Sequence, residues 1–492
     1  MRALDKHSWL FWLSVMAVIV LLGEGALGYL ASQAVSLAEP RYAIDYAFGL
    51  QLPVRVVNDV PSGWDLLAVF WVFVAAMAIT GWLLARAASA DANVSSAKLL
   101  AGMAAIGLLL TFFPITFAGD PYAYVAFGRM YALYGINPYH VTGPIDVRSD
   151  LILAQCLRFY GNPPVGDNYG PLWTLLAGAV AWITQGLPLV GQVWSERVVA
   201  LGAVIVAAAG VHKLVASRFT NSSKRAFALF AFHPTVVYEA AAGAHNDTIM
   251  LAFAVWAFAM VDAFPLYAGA LLGAACAVKY VAVVAIPFLF LRTWKTSGAA
   301  SAILGLFTAA AVAVISFAPF WIGPSTLGSL FAETASTRTS PTFLADVLLG
   351  AFQFDRTGIA GMTVSSFVSI AVAVALAIIV VWSIVRYARG LDGRDVWRSI
   401  AAFIYALPSI YPWYTLWLAP AIAKAGRWGA FAYWLSLLSF LHYAQDAPRQ
   451  PSGISYVHAF EGIVVLTILA LGLPVVLARR LALDRADAGV GG

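Results

Sequence analysis

Long apolar runs constrain this sequence more than any other feature. Leu10–Ala31 and Leu66–Ala85 are two of several nearly uncharged runs that reach the roughly 20 residues a helix needs to cross a bilayer. Hydrophobic residues make up 62% of the 492-residue chain, charged residues only 11%, and the mean hydropathy is +0.82. Backbone groups in lipid must be paired within the chain, which a single apolar segment achieves as a helix. We therefore expect an all-α, polytopic integral membrane protein without a soluble domain.

The charged residues are distributed unevenly between the two ends of the apolar runs. When the N-terminus is placed in the cytoplasm, most of the 29 Lys and Arg fall on the cytoplasmic side and most of the 24 Asp and Glu fall outside. This is the positive-inside pattern of membrane proteins, so the net charge of +5 does not indicate a nucleic-acid partner. We expect about 14 membrane passes, a location in the inner (plasma) membrane, and a site facing the periplasm or the outside. Cys156 and Cys276 fall at different predicted depths, so no disulfide is expected.

The order of the apolar runs divides the chain into three predicted parts. Residues 1–96 hold two transmembrane helices with an outer loop, and the first helix is interpreted as an anchor rather than a cleaved signal peptide because its apolar run is too long. Residues 97–425 form a membrane core, and residues 426–492 add two transmembrane helices and a cytoplasmic tail. Within the core, Ala226–Ala242 is expected as one span and Ile322–Gly361 as a long outer loop, either a lid or a connector.

The apolar segment Leu172–Ile183 is predicted to be a helix that does not cross the membrane. If it crossed, every later basic loop would move to the outside, against the positive-inside pattern. The turn Asn168 to Pro171 precedes it, with proline at a first helical position. We expect a helix that lies in the interface or dips into the membrane and returns.

A lysine separates two unusually short apolar segments. Leu266–Val278 and Tyr280–Leu291 meet at Lys279, and each is shorter than a full crossing requires. Short, broken helices around a charge are typical of binding sites in membrane proteins. The alternative is a lysine whose ammonium group extends to the interface.

The stretch Phe117–Tyr139 follows a predicted span and places a carboxylate at the membrane surface. Asp120 and Tyr124 share a helix face, and Gly128 continues it one turn later. A carboxylate between lipid and water suits a base that acts on a lipid-borne substrate, because the low dielectric can raise its pKa while the water side keeps it accessible. The alternative is an aspartate that caps an interfacial helix within an aromatic belt.

Four groups of polar residues are predicted to meet on the outer face, with Lys279 just below them. A carboxylate base, a second acid with a histidine, a cation and aromatic faces suit group transfer from an anionic lipid carrier, because the cation offsets charge on a leaving phosphate. Capping by His245 and Asn246 and a routine aromatic belt are the structural alternatives. The groups are Asp120 with its tyrosines, Asn168 to Pro171, His245 to Asp247, and Tyr411 to Tyr414.

The order of these motifs resembles a known group of enzymes. DPYAY, GINPY, YGPLW, GAHNDTIML, AVKYVAVVAIPF and YPWYTLWLAP follow one another between Phe112 and Pro420. This order resembles the polyprenol-phosphate-mannose-dependent mannosyltransferases and the related glycosyltransferase family 87, all of the GT-C superfamily. The resemblance implies a GT-C type fold whose catalytic core is the 97–425 part, with the catalytic aspartate in an outer loop.

The resemblance also implies an activity and roles for particular residues. The expected reaction is the inverting transfer of a hexose, with mannose favoured, from a polyprenyl-phosphate-sugar donor to a glycan or a lipid-linked glycan. Asp120 would take the acceptor proton and Lys279 would hold the donor phosphate. Neither a cofactor nor a metal is expected, although Asp120 and Asp247 could share a divalent ion. The other residues expected to bind the donor phosphate or sugar are His245, Asp247, Asn246, Tyr122, Tyr124, Arg129, Asn137, Tyr169, Tyr411, Trp413 and Tyr414.

A transporter or flippase of lipid-linked sugars is the main alternative, because secondary transporters also build sites from broken helices around a charge. Such a protein should show inverted repeats and midplane residues, whereas these motifs lie at one face and the sequence shows no repeat. Glu24 is expected as a single acid buried in the first span. His140, His442 and His458 are interpreted as solvated loop residues.

Overall fold

The computed structural model describes residues 8–35, 43–45, 51–53, 63–113, 117, 119–140, 150–160, 166–215, 220–327, 340–351, 364–407, 409–424, 426–446 and 456–481. Almost all of these residues are helical, which confirms the all-α membrane fold. One short antiparallel hairpin, Ala43–Asp45 with Gln51–Pro53, is the exception within the described part of the chain.

The α-helices follow the apolar runs closely. In chain order they are Ser8–Val35, Gly63–Ala90, Ser96–Thr111, Asp120–Tyr134, Leu151–Tyr160, Pro171–Thr184, Leu189–Val215, Asn221–Ala231, Pro234–Ala241, Asp247–Met260, Pro265–Val278, Ile286–Ser297, Ala299–Phe317, Pro341–Ala351, Val364–Gly390, Gly393–Ala406, Gly426–Leu438 and Tyr456–Leu481. Shorter 3-10 segments are Tyr280–Ala285, Ala318–Phe320, Pro324–Leu327, Pro412–Trp417, Ala419–Lys424 and Ser439–Asp446.

Six helices of the described chain are long and apolar enough to cross a membrane. They include Trp9–Leu30, Trp64–Ala90 and Leu189–Val215, and four further apolar helices are shorter. Three expectations remain predictions: about 14 membrane passes, the side of the membrane on which each loop lies, and the division of the chain into three parts. Core residues from all three predicted parts nevertheless belong to one buried cluster, which extends from Trp9 to Leu471.

The expected single span Ala226–Ala242 is two helices. Asn221–Ala231 ends at Phe232, and Pro234–Ala241 begins after His233, whose backbone is extended and whose ring accepts a hydrogen bond from Thr235 N. Proline lacks the N–H that an interior helical position needs, so Pro234 starts a helix rather than continuing one. The break brings the end of the second helix, and Glu239 within it, to the polar centre of the molecule.

The break at Lys279 agrees with its prediction. Helix Pro265–Val278 ends there, Lys279 itself has extended backbone angles (φ −150°, ψ 124°), and the 3-10 segment Tyr280–Ala285 follows. A short helix that starts at Pro171, preceded by Gly170, is also confirmed. The predicted outer loop Ile322–Gly361 contains a helix, Pro341–Ala351. Other parts of this loop lie outside the described residues.

Two glycines let the polar helices approach one another. A Cβ on Gly128 would overlap the carbonyl of Ala177, so helix Asp120–Tyr134 packs directly against helix Pro171–Thr184. A Cβ on Gly170 would overlap the carbonyl of Ala277, and Gly170 N donates to Val278 O at 3.0 Å. The turn before Pro171 is thereby fixed beside Lys279.

Candidate active site

Asp120 and His245 form the centre of the candidate site. Oδ2 of Asp120 lies 3.1 Å from Nδ1 of His245, and the hydroxyl of Tyr124 lies 3.4 Å from the same oxygen. The His245 side chain is fully buried, whereas that of Asp120 is 17% exposed. Asp120 begins its helix, where a negative charge is favoured by the helix dipole. The carboxylate is therefore held from behind and remains open on one side.

A second acid lies on the other side of the His245 ring. Nε2 of His245 is 3.1 Å from Oε2 of Glu239, an ion-pair distance, although the angle falls short of a hydrogen bond. The Tyr443 hydroxyl lies 3.1 and 3.2 Å from the two oxygens of Glu239. The indole of Trp413 stacks on the imidazole at 4.0 Å and 15°. These contacts fix the orientation of the His245 ring.

The turn that carries His245 has an unusual backbone. Ala244 has φ 53°, in the left-handed region that residues other than glycine rarely adopt, and it is fully buried. A Cβ on Gly243 would lie 2.6 Å from the His245 ring, so only glycine leaves room for the imidazole there. Strained turns of this kind are concentrated at functional sites.

The Asp120–His245 contact sets the charge of both groups. Burial alone would lower the pKa of His245, but the hydrogen bond with Asp120 and the attraction to Asp120 and Glu239 raise it to about 9. Burial alone would raise the pKa of Asp120, but His245, Lys279 and a hydrogen bond with Tyr169 hold it below its ordinary value of 3.8, so the expectation of a raised pKa was wrong. At neutral pH the pair is therefore an imidazolium beside a carboxylate.

Lys279 and Asp247 form a second ion pair next to the first. Nζ of Lys279 lies 2.6 Å from Oδ2 of Asp247, and the lysine side chain is 16% exposed while Asp247 is fully buried. The indole N–H of Trp417 donates to Oδ1 of Asp247 at 2.5 Å. The ammonium also lies 4.9 Å from the centre of the Tyr414 ring, a cation–π distance. Lys279 is thus mostly buried, and its ammonium lies between Asp247 and the Tyr414 ring.

The aromatic residues of this region are arranged by the 3-10 geometry of Pro412–Trp417. In a 3-10 helix, side chains three residues apart are aligned. Tyr414 and Trp417 accordingly stack at 4.9 Å and 27°. Tyr411 stacks instead on Trp413 at 4.5 Å and 10°, which continues the stack that covers His245. The segment therefore contacts both ion pairs.

Asn246 joins the two ion pairs through the backbone. Its N–H donates to the Tyr124 hydroxyl at 3.2 Å. Its side chain is fully buried, and neither Oδ1 nor Nδ2 has a hydrogen-bond partner within the described chain. A buried amide without a partner is costly, so these two atoms are candidates for contacts with a bound substrate.

Tyr169 enters the site from the turn before Pro171. Its ring packs edge-on against Tyr124 at 5.1 Å, and its carbonyl accepts from the hydroxyls of Tyr139 and Tyr280 at 2.8 and 3.0 Å. Asp167 accepts from Tyr169 N and from Thr174 at 2.9 and 2.7 Å. Burial raises the pKa of Asp167 to about 7. This network shapes the turn and sets the position of Tyr169.

Arg129 and Asn137 lie in structural contacts outside the Asp120–His245 cluster. Arg129 is buried against Asp150 (Nε–Oδ2, 2.8 Å) and Gln192 (Nη1–Oε1, 3.1 Å). Asn137 donates to the carbonyl of Phe320 at 2.8 Å. Their roles in donor binding remain predictions. Tyr122, two residues after Asp120, is buried.

The outcome for the other histidines and acids is mixed. His140 is exposed as expected, and the side chain of His458 lies outside the described residues. His442 was wrongly interpreted as solvated, because it is only 1% exposed within Ser439–Asp446 and its two ring nitrogens have no described partner. Glu24 is buried as predicted and is attracted to Arg197. Cys156 and Cys276 are free thiols.

No three His, Cys, Asp or Glu side chains of the described chain are grouped so that they could hold a metal ion. Independence from metals remains a prediction, and the cation nearest Asp247 is the ammonium of Lys279.

Comparison with known proteins identifies the family. Residues 24–295, more than half of the chain, match the profile described as "Alpha-(1->6)-mannopyranosyltransferase, N-terminal domain". The chain belongs to this family. It is therefore a membrane glycosyltransferase, and the resemblance to the GT-C mannosyltransferases is confirmed.

A curated relative supports the same assignment over a longer stretch. The chain is 25% identical over 470 residues to "Alpha-(1->6)-mannopyranosyltransferase B" of Corynebacterium glutamicum, and the alignment covers 86% of this chain and 74% of the relative. The family match includes Asp120, His245, Asp247 and Lys279, whereas Trp413 lies beyond it.

Sequence reasoning missed three side chains that hold the site together: Glu239, Trp417 and Tyr443. Trp417 lies inside the motif YPWYTLWLAP, three residues after Tyr414, and this spacing was the available signal. Glu239 lay within an apolar segment interpreted as one span, and only the break at Pro234 would have indicated otherwise. Tyr443 had no signal in the sequence, because its contact with Glu239 spans 204 residues.

Proposed function

We propose that this protein transfers mannose from a polyprenyl-phosphate-mannose donor to a hydroxyl of a glycan or lipid-linked glycan, on the extracytoplasmic face of the membrane. The observation that carries the proposal is the 3.1 Å contact between Asp120 and His245 beside the Lys279–Asp247 pair, in a chain of this family. The name of the relative supports mannose and an α-1,6 linkage. The charge pattern of the loops supports the outer face.

The reaction requires one bond to form and one to break. The acceptor oxygen attacks the anomeric carbon, the bond from that carbon to the phosphate oxygen breaks, and polyprenyl phosphate leaves with the electron pair. The proton of the acceptor hydroxyl passes to Asp120. A single displacement of this kind inverts the anomeric carbon, as in inverting glycosidases.

Asp120 has the position that such a base requires. Its carboxylate is partly exposed, while His245, Tyr124 and Tyr169 hold it on the buried side. Its low pKa keeps it ionised at neutral pH, so it can accept the proton as the acceptor hydroxyl becomes acidic during bond formation. The imidazolium of His245 keeps the carboxylate ionised and correctly oriented before the substrate arrives.

Lys279 has the position that the donor phosphate requires. It lies at the break between helix Pro265–Val278 and the 3-10 segment Tyr280–Ala285, and its side chain remains 16% exposed. When the sugar leaves, the phosphate gains negative charge, and a fixed cation in a low-dielectric site stabilises that charge. Asp247 and Trp417 hold the ammonium in place, and Tyr414 supplies an aromatic face below it.

The test is transfer of labelled sugar by the purified full-length protein in detergent. Polyprenyl-phosphate-mannose, polyprenyl-phosphate-glucose and a nucleotide-mannose are offered in parallel, each with an extracted glycan acceptor. We expect label to pass from the lipid-linked mannose alone, in the presence of a metal chelator as well as in its absence. The same assay with Asp120→Asn should lose transfer by at least 100-fold, which is the lower range for removal of a general base.

Asp65→Asn is the matched control. It makes the same chemical change at an exposed carboxylate in the first turn of another helix. It should transfer at the unaltered rate. Transfer from the nucleotide-mannose but not from the lipid would overturn the proposed donor. If the protein in vesicles moved lipid-linked mannose from one leaflet to the other without transferring the sugar, the alternative of a transporter or flippase would be supported.

A further inference from the structure

A cavity with Trp417 in its wall lies outside the two ion pairs, since none of their four residues lines it. Its volume is about 810 Å³, and Trp417, Leu251, Val255 and Phe258 form part of its wall. Lys279 is not among the residues that line it. Trp417 thus contributes its indole N–H to Asp247 and its ring to the cavity wall. The cavity is therefore separate from the site described above, yet shares a wall with it.

The other part of the cavity wall is strongly basic. It comes from three places in the chain that are far apart in sequence, and the loop pattern predicts all three to be cytoplasmic. Its six cations are Arg292, Arg386, Arg394, Arg398, Lys424 and Arg427.

Carboxylates neutralise some of these cations but not all. Arg292 pairs with Asp262, and Arg394 pairs with Asp392 at 2.6 Å. Arg398 and Arg386 both pair with Asp395, and the distance from Nε of Arg386 to Oδ1 of Asp395 is 3.5 Å.

Two cations of the wall are left without a carboxylate. Lys424 and Arg427 make no ion pair within the described chain, and both are exposed. Lys424 is still partly desolvated by its neighbours, and this desolvation, together with repulsion from Arg292, lowers the pKa of its amine. Cations that line one cavity favour an anion between them.

We propose that this cavity binds an anionic phospholipid of the surrounding membrane, with the phosphate beside Lys424 and Arg427 and an acyl chain against Leu251, Val255 and Phe258. Charge complementarity identifies the occupant's head group, because six cations line the wall and three carboxylates pair with only four of them. The apolar wall identifies its tail, because a free phosphate would leave that surface uncovered. A basic pocket between membrane helices is a known way to hold an anionic lipid head group.

The test is lipid binding by the full-length protein, delipidated in detergent and measured by native mass spectrometry. The probes are phosphatidylglycerol, the zwitterionic phosphatidylcholine, and inorganic phosphate. We expect phosphatidylglycerol to bind with higher affinity than phosphatidylcholine. The double variant Lys424→Gln/Arg427→Gln should raise its Kd by roughly tenfold or more, since each cation contributes to the attraction.

Arg86→Gln/Lys98→Gln is the matched control. It removes the same charge from two exposed residues that bracket another predicted cytoplasmic turn and do not line the cavity. It should leave binding unchanged. Ala254→Phe, which fills the apolar part without altering charge, should weaken phosphatidylglycerol binding as well.

Three results would overturn the proposal. One is equal affinity for the two lipids, and another is an equal loss of binding in the control variant, which would indicate a diffuse charge effect. The third is binding of inorganic phosphate that Ala254→Phe does not disturb, since that would show an anion site without a lipid chain. None of these results bears on sugar transfer, so the two proposals fail independently.

Discussion

Trp417 and Asp247 lie 170 residues apart in the chain, yet the indole N–H of one donates to Oδ1 of the other at 2.5 Å. The second oxygen of Asp247 binds the ammonium of Lys279 at 2.6 Å. Asp247 is fully buried, so both of its oxygens depend on these partners. The contact ties the 3-10 segment Pro412–Trp417 to the lysine that we assign to the donor phosphate.

Trp417→Phe should therefore weaken donor use without preventing folding. Phenylalanine keeps much of the packing but removes the N–H, which leaves a buried charged oxygen without a donor; a hydrogen bond to a charged group is worth about 1.5–3 kcal/mol. We expect kcat/KM for the lipid-linked donor to fall by roughly 10- to 100-fold. Trp294→Phe, at a residue that is 52% exposed, is the control and should have no effect. An unchanged kcat/KM in Trp417→Phe would show that the contact does not support the site.

The raised pKa of His245 predicts how both activity and stability depend on pH. Its pKa of about 9 exceeds the ordinary value of 6.5, so its ion pairs stabilise the fold fully below pH 6.5 and are lost as the pH rises through about 9. Asp120 has a lowered pKa, so its contribution is present above pH 3.8 and is lost as the pH falls below that value. Transfer should be nearly constant at neutral pH and decline towards pH 9 and above.

The profile of kcat/KM against pH tests this assignment. In His245→Gln the alkaline decline should disappear and the rate at pH 7 should fall, because Asp120 then lacks its cationic partner. His140→Gln, at an exposed histidine, is the control and should keep the unaltered profile. An alkaline limb near pH 9 that persists in His245→Gln would assign that titration to another group.

Gly170 should tolerate no side chain. A Cβ there would overlap the carbonyl of Ala277 next to Lys279, and overpacking of a well-packed interior costs about 1–3 kcal/mol. We expect Gly170→Ala to lower the apparent melting temperature in detergent by a few degrees and to reduce transfer. Gly186→Ala has open space around its Cβ and serves as the control. Equal melting temperatures for the two variants would contradict the close approach of the turn to Lys279.

The sequence contained the local features of the site but not the contacts that complete it. Lys279 could be placed at a helix break because two apolar segments on either side were visibly too short. Asp120 and Tyr124 could be placed on one face because helical periodicity is a local property. The helix at Pro171 was predictable for the same reason.

The long-range contacts of the site could not be predicted from the sequence, for a physical reason. Glu239 approaches His245 only because the chain breaks at Pro234, and apolar composition alone suggested a continuous helix. His442 was interpreted from its polar neighbours in sequence, whereas packing of Ser439–Asp446 buries it. Burial of a loop residue depends on which helices it meets, and a single sequence does not specify that.

Separate measurements of donor binding and of transfer in the Asp120→Asn variant test the central claim most directly. The asparagine keeps the size and the polar contacts of the side chain but cannot accept a proton. The account predicts that Asp120→Asn binds the polyprenyl-phosphate-mannose donor with an unchanged Kd and yields no product in a single turnover, whereas Lys279→Gln loses donor binding itself. Single-turnover transfer by Asp120→Asn at the unaltered rate would contradict the account, because the acceptor proton would then have another destination.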